Sequence, residues 1–244
     1  MNRGIVDAIG AEVVTAVSVM VVGPELQHDV ARIRSTSPIS RGLHLTFTQA
    51  KPLSPADRIP SLVTAQGEFY SSVFTLACRR LSPEQLRIEA DAQLQRYVDL
   101  LGAMPEFVNT HQHAQMIPVV LNTMLELCAR YGIERARLSV DRWPVPNTRL
   151  RSFLWPMVTG VGLLQRSRYA TAGIRHPAGM IGGPASEHLT PQRLRRLLSR
   201  VGDGLTELVV HPSQGSNDMD ALTSSSTARI IEERAIEKVG FHVL

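Results

Sequence analysis

Short apolar runs alternate with longer amphipathic ones from one end of this chain to the other. Residues 4–11 read as a helix, and residues 13–22, rich in Val with Thr and Ser, as a buried strand. Pro24 opens a helix to about Arg34, with Leu26, Val30 and Ile33 on one face. Residues 39–47 alternate as a strand does: Leu43, Leu45 and Phe47 share one face, His44 and Thr46 the other. Further strands are predicted over 107–110, 135–140, 167–172, 205–210 and 241–244. Further helices are predicted over 118–131, 147–165 and 221–238.

Cap and turn residues punctuate this pattern. Ser82-Pro83-Glu84-Gln85 starts a helix, with Ser as N-cap, Pro at the first helical position and Gln at the third. That helix runs to about Leu101 and stops at Gly102, and the helix over 118–131 stops at Gly132. Thr190-Pro191-Gln192 starts another capped helix, to about Val201. Residues 48–67 hold three prolines and read as a long loop over the surface or over a site; residues 176–186 read as a Gly- and Pro-rich loop.

Strand–helix alternation of this kind means an α/β fold with a parallel sheet and right-handed crossovers. The strands predicted over this length favour a closed or nearly closed barrel, one domain over 1–244, rather than two domains. In such barrels the chemistry gathers at the C-terminal ends of the strands, a rule that singles out polar residues.

Composition narrows the class. Hydrophobic residues are 43% and charged residues 20%, which is a globular balance. Cys78 and Cys128 are too few for a disulfide framework or a four-thiolate zinc site, so a reduced cytoplasm is the expected compartment. No apolar run approaches the roughly 20 residues of a membrane span, and Asp7 and Glu12 sit where a signal peptide would be basic. The net charge is +4, with Arg193, Arg195, Arg196 and Arg200 clustered on one predicted helix. No aromatics interleave with them as single-strand stacking would need, so a nucleic-acid partner is not expected.

Four histidines fall at predicted strand ends. His44 lies opposite the leucine face, His111 directly follows 107–110, His113 lies two residues on, and His211 directly follows Val210 and precedes Pro212. Imidazoles drawn from several strand ends can converge on one metal ion. His44 alone reads more readily as a hydrogen-bonded core residue, and His111, His113 and His211 equally as loop or strand-end histidines; the joint pattern carries the expectation. The sequence has no Gly-x-Ser-x-Gly elbow, no phosphate-binding loop and no dinucleotide fingerprint, and both cysteines sit in helical patterns.

Gly42-Leu43-His44-Leu45-Thr46, then Thr110-His111-Gln112-His113, then Val210-His211-Pro212 resemble the spaced signatures of the YdjC-like carbohydrate deacetylases, a group that includes chitooligosaccharide and hopanoid-associated deacetylases. Residues 14–21 look like that family's second strand, and Lys51-Pro52-Leu53 with 59–63 like its first long loop. Leu205-Thr206-Glu207-Leu208 leads into His-Pro as in the family.

The resemblance implies a distorted TIM-like (β/α) barrel of the polysaccharide-deacetylase type. It implies metal-dependent hydrolytic deacetylation of N-acetylated amino sugars or glycolipid sugars. His44 and His111 match the metal-ligating histidines, and His211 matches the histidine that protonates the leaving amine. His113 matches a position that supports the metal ligands or faces the substrate, and Arg142 lies near the family's site-lining arginine. The family opens with a strand ending Asn-Ala-Asp-Asp-Phe-Gly, whose Asp pair supplies a metal ligand and a base. This sequence begins Met1-Asn2-Arg3-Gly4-Ile5, similar to the helix after that motif, so the first strand and the Asp pair are missing from it. Asn109 stands where the family has Asp, and Gln115 where a further His is usual. Asp7 lies past the missing strand end, which leaves Asp141 as the internal candidate for the carboxylate.

These departures make a non-catalytic sugar-binding or scaffold homologue the alternative to an enzyme. They lead us to expect a weakly bound divalent ion, Zn or Mg. They also lead us to expect an open barrel whose seam, between 13–22 and 241–244, is marginally stable or is covered by dimerisation or aggregation.

Overall fold

The computed structural model describes residues 2–23, 30–31, 33–34, 39–141 and 149–244. Helix α1 (Asn2–Gly10) leads into strand β1 (Ala16–Val19). Strand β2 (Ser40–Leu45) and strand β3 (Phe107–Thr110) complete a parallel sheet of order β1-β2-β3. The registers Val19↔Leu43 and His44↔Asn109 fix which residues lie side by side. Strands β4 (Gly179–Ile181) and β5 (Thr206–Leu208) form a second parallel sheet. Residues 135–141 lie between the sheets, bridging Val108 through Ala136 and Met180 through Asp141.

Helices cover these strands. A short α2 (Val73–Ala77) follows the long loop, and α3 (Pro83–Leu101) and α4 (Pro118–Tyr131) pack on each other beside β2 and β3. Ser82 caps α3 by accepting the Gln85 N–H, and Gly102 ends it in a left-handed conformation. Further on come α5 (Arg149–Thr171), α6 (Pro191–Leu198), α7 (Asn217–Thr223) and α8 (Ser225–Glu233). Thr190 caps α6 by accepting the Arg193 N–H. The larger core takes Leu43 and Leu45 from β2 with Leu86, Leu94 and Tyr97 from α3 and Leu121 and Met124 from α4. A smaller one joins Ile181 to Leu194, Leu197 and Leu222.

Five expectations need correction. Residues 167–172 are not a strand: α5 continues through Thr171 because Val158, Gln165 and Tyr169 lie on one buried helical face, and no Gly or Pro falls between Gly162 and Gly173, which has φ +69°. The loop expected over 176–186 contains β4, because Gly179–Ile181 finds a parallel partner in β5 and the Met180 N–H donates to Val140 O. The helix expected over 221–238 is two helices, divided at Ser224, whose hydroxyl turns to accept the Thr227 N–H. Residues 241–244 end in a 3-10 turn, with the Phe241 ring stacked on Phe107 at 3.9 Å. Residues 135–140 pair through isolated bridges rather than as a regular strand. Parts of the helices expected over 24–34 and 147–165 lie outside the described residues. The described strands make small, open parallel sheets, and no closed barrel forms among the described residues.

Candidate functional site

The alternation of β2 sends Leu43 and Leu45, both fully buried, into the core and turns His44 the other way. The parallel register then sets His44 beside Asn109 of β3, and His44 Nδ1 donates to Asn109 Oδ1 at 2.5 Å. His111 follows β3 directly, where the strand ends. Its Nε2 donates to Gln49 Oε1, in the long loop, at 2.9 Å. With both outer nitrogens donating to carbonyl oxygens, the inner nitrogens, His44 Nε2 and His111 Nδ1, present lone pairs 3.3 Å apart.

Two lone pairs at that spacing suit one cation. Two imidazole nitrogens at about 2.0–2.1 Å from a tetrahedral zinc lie about 3.3–3.4 Å from each other. The rings meet edge to face, with centroids 5.4 Å apart. A proton is a poor occupant. Burial pulls His44 down to about 3 against the opposing pull of Asn109, and Arg137, His111 and His211 lower it further. His111 is also lowered, by burial first and then by His211. Burial therefore favours the neutral form of both rings. The pair offers two nitrogen donors. Among the described residues no three His, Cys, Asp or Glu side chains stand close enough to hold an ion.

His211 follows β5 by way of Val209 and Val210, and it lines the same cavity as His44 and His111. Its backbone N–H donates to Asp218 Oδ2 at 2.9 Å. The same carboxylate accepts the Glu187 N–H at 3.0 Å and the Leu189 N–H at 2.9 Å. Asp218 is fully buried, so one carboxylate fixes two loops at the mouth of the cleft. The cavity, about 970 Å³, extends from these imidazoles between β1 and β5. Arg137 and Glu207 bridge its wall through three hydrogen bonds of 2.7–3.0 Å.

The other expected site residues fare differently. His113 is not among the cavity-lining residues. It turns into the protein, where its Nδ1 lies 2.8 Å from Ser139 Oγ, and burial holds it down to about 3. Asp141 is only 3% exposed, pairs with Met180 and does not line the cavity. Arg142 lies outside the described residues. Sequence reasoning missed Gln49 as the partner of His111 and Asp218 as the anchor of His211, since neither adjoins its histidine in sequence.

Backbone strain marks the same place. Six non-glycine residues have positive φ among the described residues: Glu12, Gln49, Gln112, His113, Glu187 and Ala235. Gln49 accepts from His111, Glu187 lines the same cavity, and Gln112 and His113 follow His111 in the chain. Such conformations cluster at functional sites.

The chain belongs to the YdjC-like protein family, whose model matches residues 1–238. It is 28% identical to a chitooligosaccharide deacetylase of Enterobacter sp. (strain 638), over 96% of this chain and 89% of that one. It is 29% identical to a carbohydrate deacetylase of Mus musculus, over 88% and 74%. A solved structure from Enterococcus faecalis V583, of a protein assigned to cellobiose-phosphate cleavage, superposes with a TM-score of 0.78 at 22% identity. That match covers 99% of this chain and 92% of the other.

Proposed function

We propose that this chain is a carbohydrate deacetylase that hydrolyses the amide bond of N-acetylated amino sugars. The observation that carries the proposal is the convergence of His44 Nε2 and His111 Nδ1 at 3.3 Å, with His211 on the same cavity. His44 and His111 would hold a divalent ion, Zn or Mg, at two points and hence weakly. When bound, the ion polarises an amide carbonyl and a water. Asn109 and Gln49 keep both imidazoles in the metal-accepting tautomer. His211, fixed through its backbone by Asp218, is the group we assign to protonate the leaving amine. His113 orients the strand-end turn through Ser139 and does not meet the sugar.

We read the architecture as one domain over 1–244. It is of the TIM-like, polysaccharide-deacetylase type, with its described strands in small, open parallel sheets. No helix among the described residues is long and apolar enough to cross a membrane, and both cysteines are free, which accords with a cytoplasmic protein. A non-catalytic sugar-binding homologue is the second reading. It is favoured by the missing third donor among the described residues. Incubation with N-acetylglucosamine oligomers and zinc, followed by detection of released acetate, tests the choice. Acetate release that His211→Ala abolishes supports the enzyme. Sugar binding without release supports the second reading.

A further inference from the structure

Helix α3 carries a stripe of polar side chains, Gln85, Glu89 and Gln93, that hold the long loop. Four-residue spacing puts them on one face of the helix. We infer that Glu89 and Gln93 are positioning residues: by fixing the chain on both sides of Gln49, they decide which nitrogen of His111 carries its proton. This inference rests on the imidazole site proposed above.

Both side chains are fully buried. Gln93 closes on Thr46 in both directions: its Oε1 accepts the Thr46 N–H at 2.9 Å, and its Nε2 donates to Thr46 O at 2.6 Å. The same Nε2 donates to Glu89 Oε1 at 2.9 Å. Glu89 takes the next stretch of the loop, with Oε1 accepting the Leu53 N–H at 3.1 Å and Oε2 the Ser54 N–H at 2.9 Å. Gln49 lies between these two anchors in the chain. Gln85 holds a farther part of the loop, accepting the Ser61 N–H at 2.8 Å.

Gln49 needs that support. It is exposed, and its backbone sits at φ +61°, which L residues rarely adopt. A freely moving amide at the surface exchanges its partner for water. Held in place, Gln49 Oε1 accepts the His111 Nε2–H at 2.9 Å. The other position for that proton is close at hand. On Nδ1 it would point at His44 Nε2, 3.3 Å away, and tie together the two nitrogens that face a cation. The buried pair on α3 thus keeps the two imidazoles open to a cation by holding Gln49.

Nitrogen NMR of the metal-free whole chain with isotope-labelled histidine reads the His111 tautomer, and zinc calorimetry reads its consequence. In the unchanged protein, Nε2 should carry the His111 proton. Gln49→Ala, Glu89→Gln and Gln93→Leu should each move it to Nδ1 in a large share of molecules. Each should weaken zinc binding about tenfold, the scale of a lost group that orients a metal-binding imidazole. Glu89→Gln keeps the size of the side chain but leaves the Leu53 N–H, the Ser54 N–H and the Gln93 amide one acceptor oxygen between them. Combined with Gln49→Ala, it should weaken zinc binding no further than Gln49→Ala alone, because both act through one contact. Gln85→Ala, which loosens the loop at Ser61, should leave the proton on Nε2. A shift in Gln85→Ala as large as in Glu89→Gln, or additive losses in the double variant, would reduce Glu89 and Gln93 to general support of the loop and overturn the inference. An unchanged His111 spectrum in both Glu89→Gln and Gln93→Leu overturns it too. Zinc binding absent from the unchanged protein, or indifferent to His44→Ala, overturns the imidazole site, while the metal-free spectra still decide whether α3 sets the His111 proton.

Discussion

The β2–β3 wall and the seam between β1 and β5 are built from similar apolar residues, yet only the wall is closed. β2 is paired along both edges, and Leu43 and Leu45 behind it are fully buried. Gly42 lies so close to Phe107 that an added Cβ would fall 2.5 Å from the ring. Across the molecule, β1 pairs only with β2 and β5 only with β4 among the described residues. Val13, Val14, Leu208 and Val210 remain partly exposed around the cavity. Position on the wall comes from ladder register, which is why His44 and Asn109 meet directly. On the seam side the ladder ends early, and a buried side chain, Asp218, does the fixing instead.

The sharpest test of that contrast is the same truncation on both sides. Leu45→Ala removes a fully buried side chain from the closed wall and should cost about 2–5 kcal/mol, read by denaturant unfolding. Leu208→Ala, on the half-exposed seam strand, should cost about 1 kcal/mol or less. Equal losses would mean that the seam is packed as tightly as the wall, and the comparison would fail.

Asp218→Ala should follow in size. It leaves three backbone N–H groups without their acceptor, at a cost of about 1–3 kcal/mol for buried groups of this kind. It should also release His211 and Glu187 together, so any deacetylation should fall more than stability does. Asp218→Asn keeps one acceptor oxygen and should recover part of both losses.

Acid should discriminate the regions next. The buried imidazoles of His44 and His113 are both held down to about 3, against an ordinary value of about 6.5. The unfolded chain therefore binds more protons than the folded one between those limits. Stability contributed by the neutral rings is present above pH 6.5 and is lost as the pH falls toward 3. The slope should reach about 1.4 kcal/mol per pH unit for each ring. Urea unfolding from pH 7 to pH 4.5 measures it. His113→Gln should flatten the slope by about one ring's share.

The wall was legible in the sequence and much of the seam was not, for a physical reason. Alternation places His44 opposite two leucines, and a strand end places His111, so local pattern alone brings both to one cleft. His211 was visible as a strand end before proline. Gln49, Asp218 and Glu187 have no local pattern: 62 residues separate Gln49 from His111 and 31 separate Glu187 from Asp218. Short strands also mislead. Gly179–Ile181 is a strand only because β5 lies beside it, and 167–172 stays helical because Tyr169 packs inward and its hydroxyl donates to Arg137 O.

The smallest expected change in monomer stability probes the open edge itself. Val14 is partly exposed and lines the cavity beside the free side of β1. An apolar strand edge with unpaired N–H and C=O groups is a template for another strand, and a lysine on such an edge discourages pairing. Val14→Lys should leave the monomer within about 1 kcal/mol of its original stability, because the long side chain can carry its charge to water. It should nevertheless shift self-association. If two copies cover their seams against each other, sedimentation of the unchanged chain should show a concentration-dependent rise in mass that Val14→Lys suppresses. Leu164→Lys, on the 79% exposed face of α5 and away from the cavity lining, is the control and should leave that rise in place. Suppression by Leu164→Lys alone would move the contact to α5. A strictly monomeric, concentration-independent original chain would mean that the seam tolerates water along its edges, and the open side would then serve only as the way into the imidazoles.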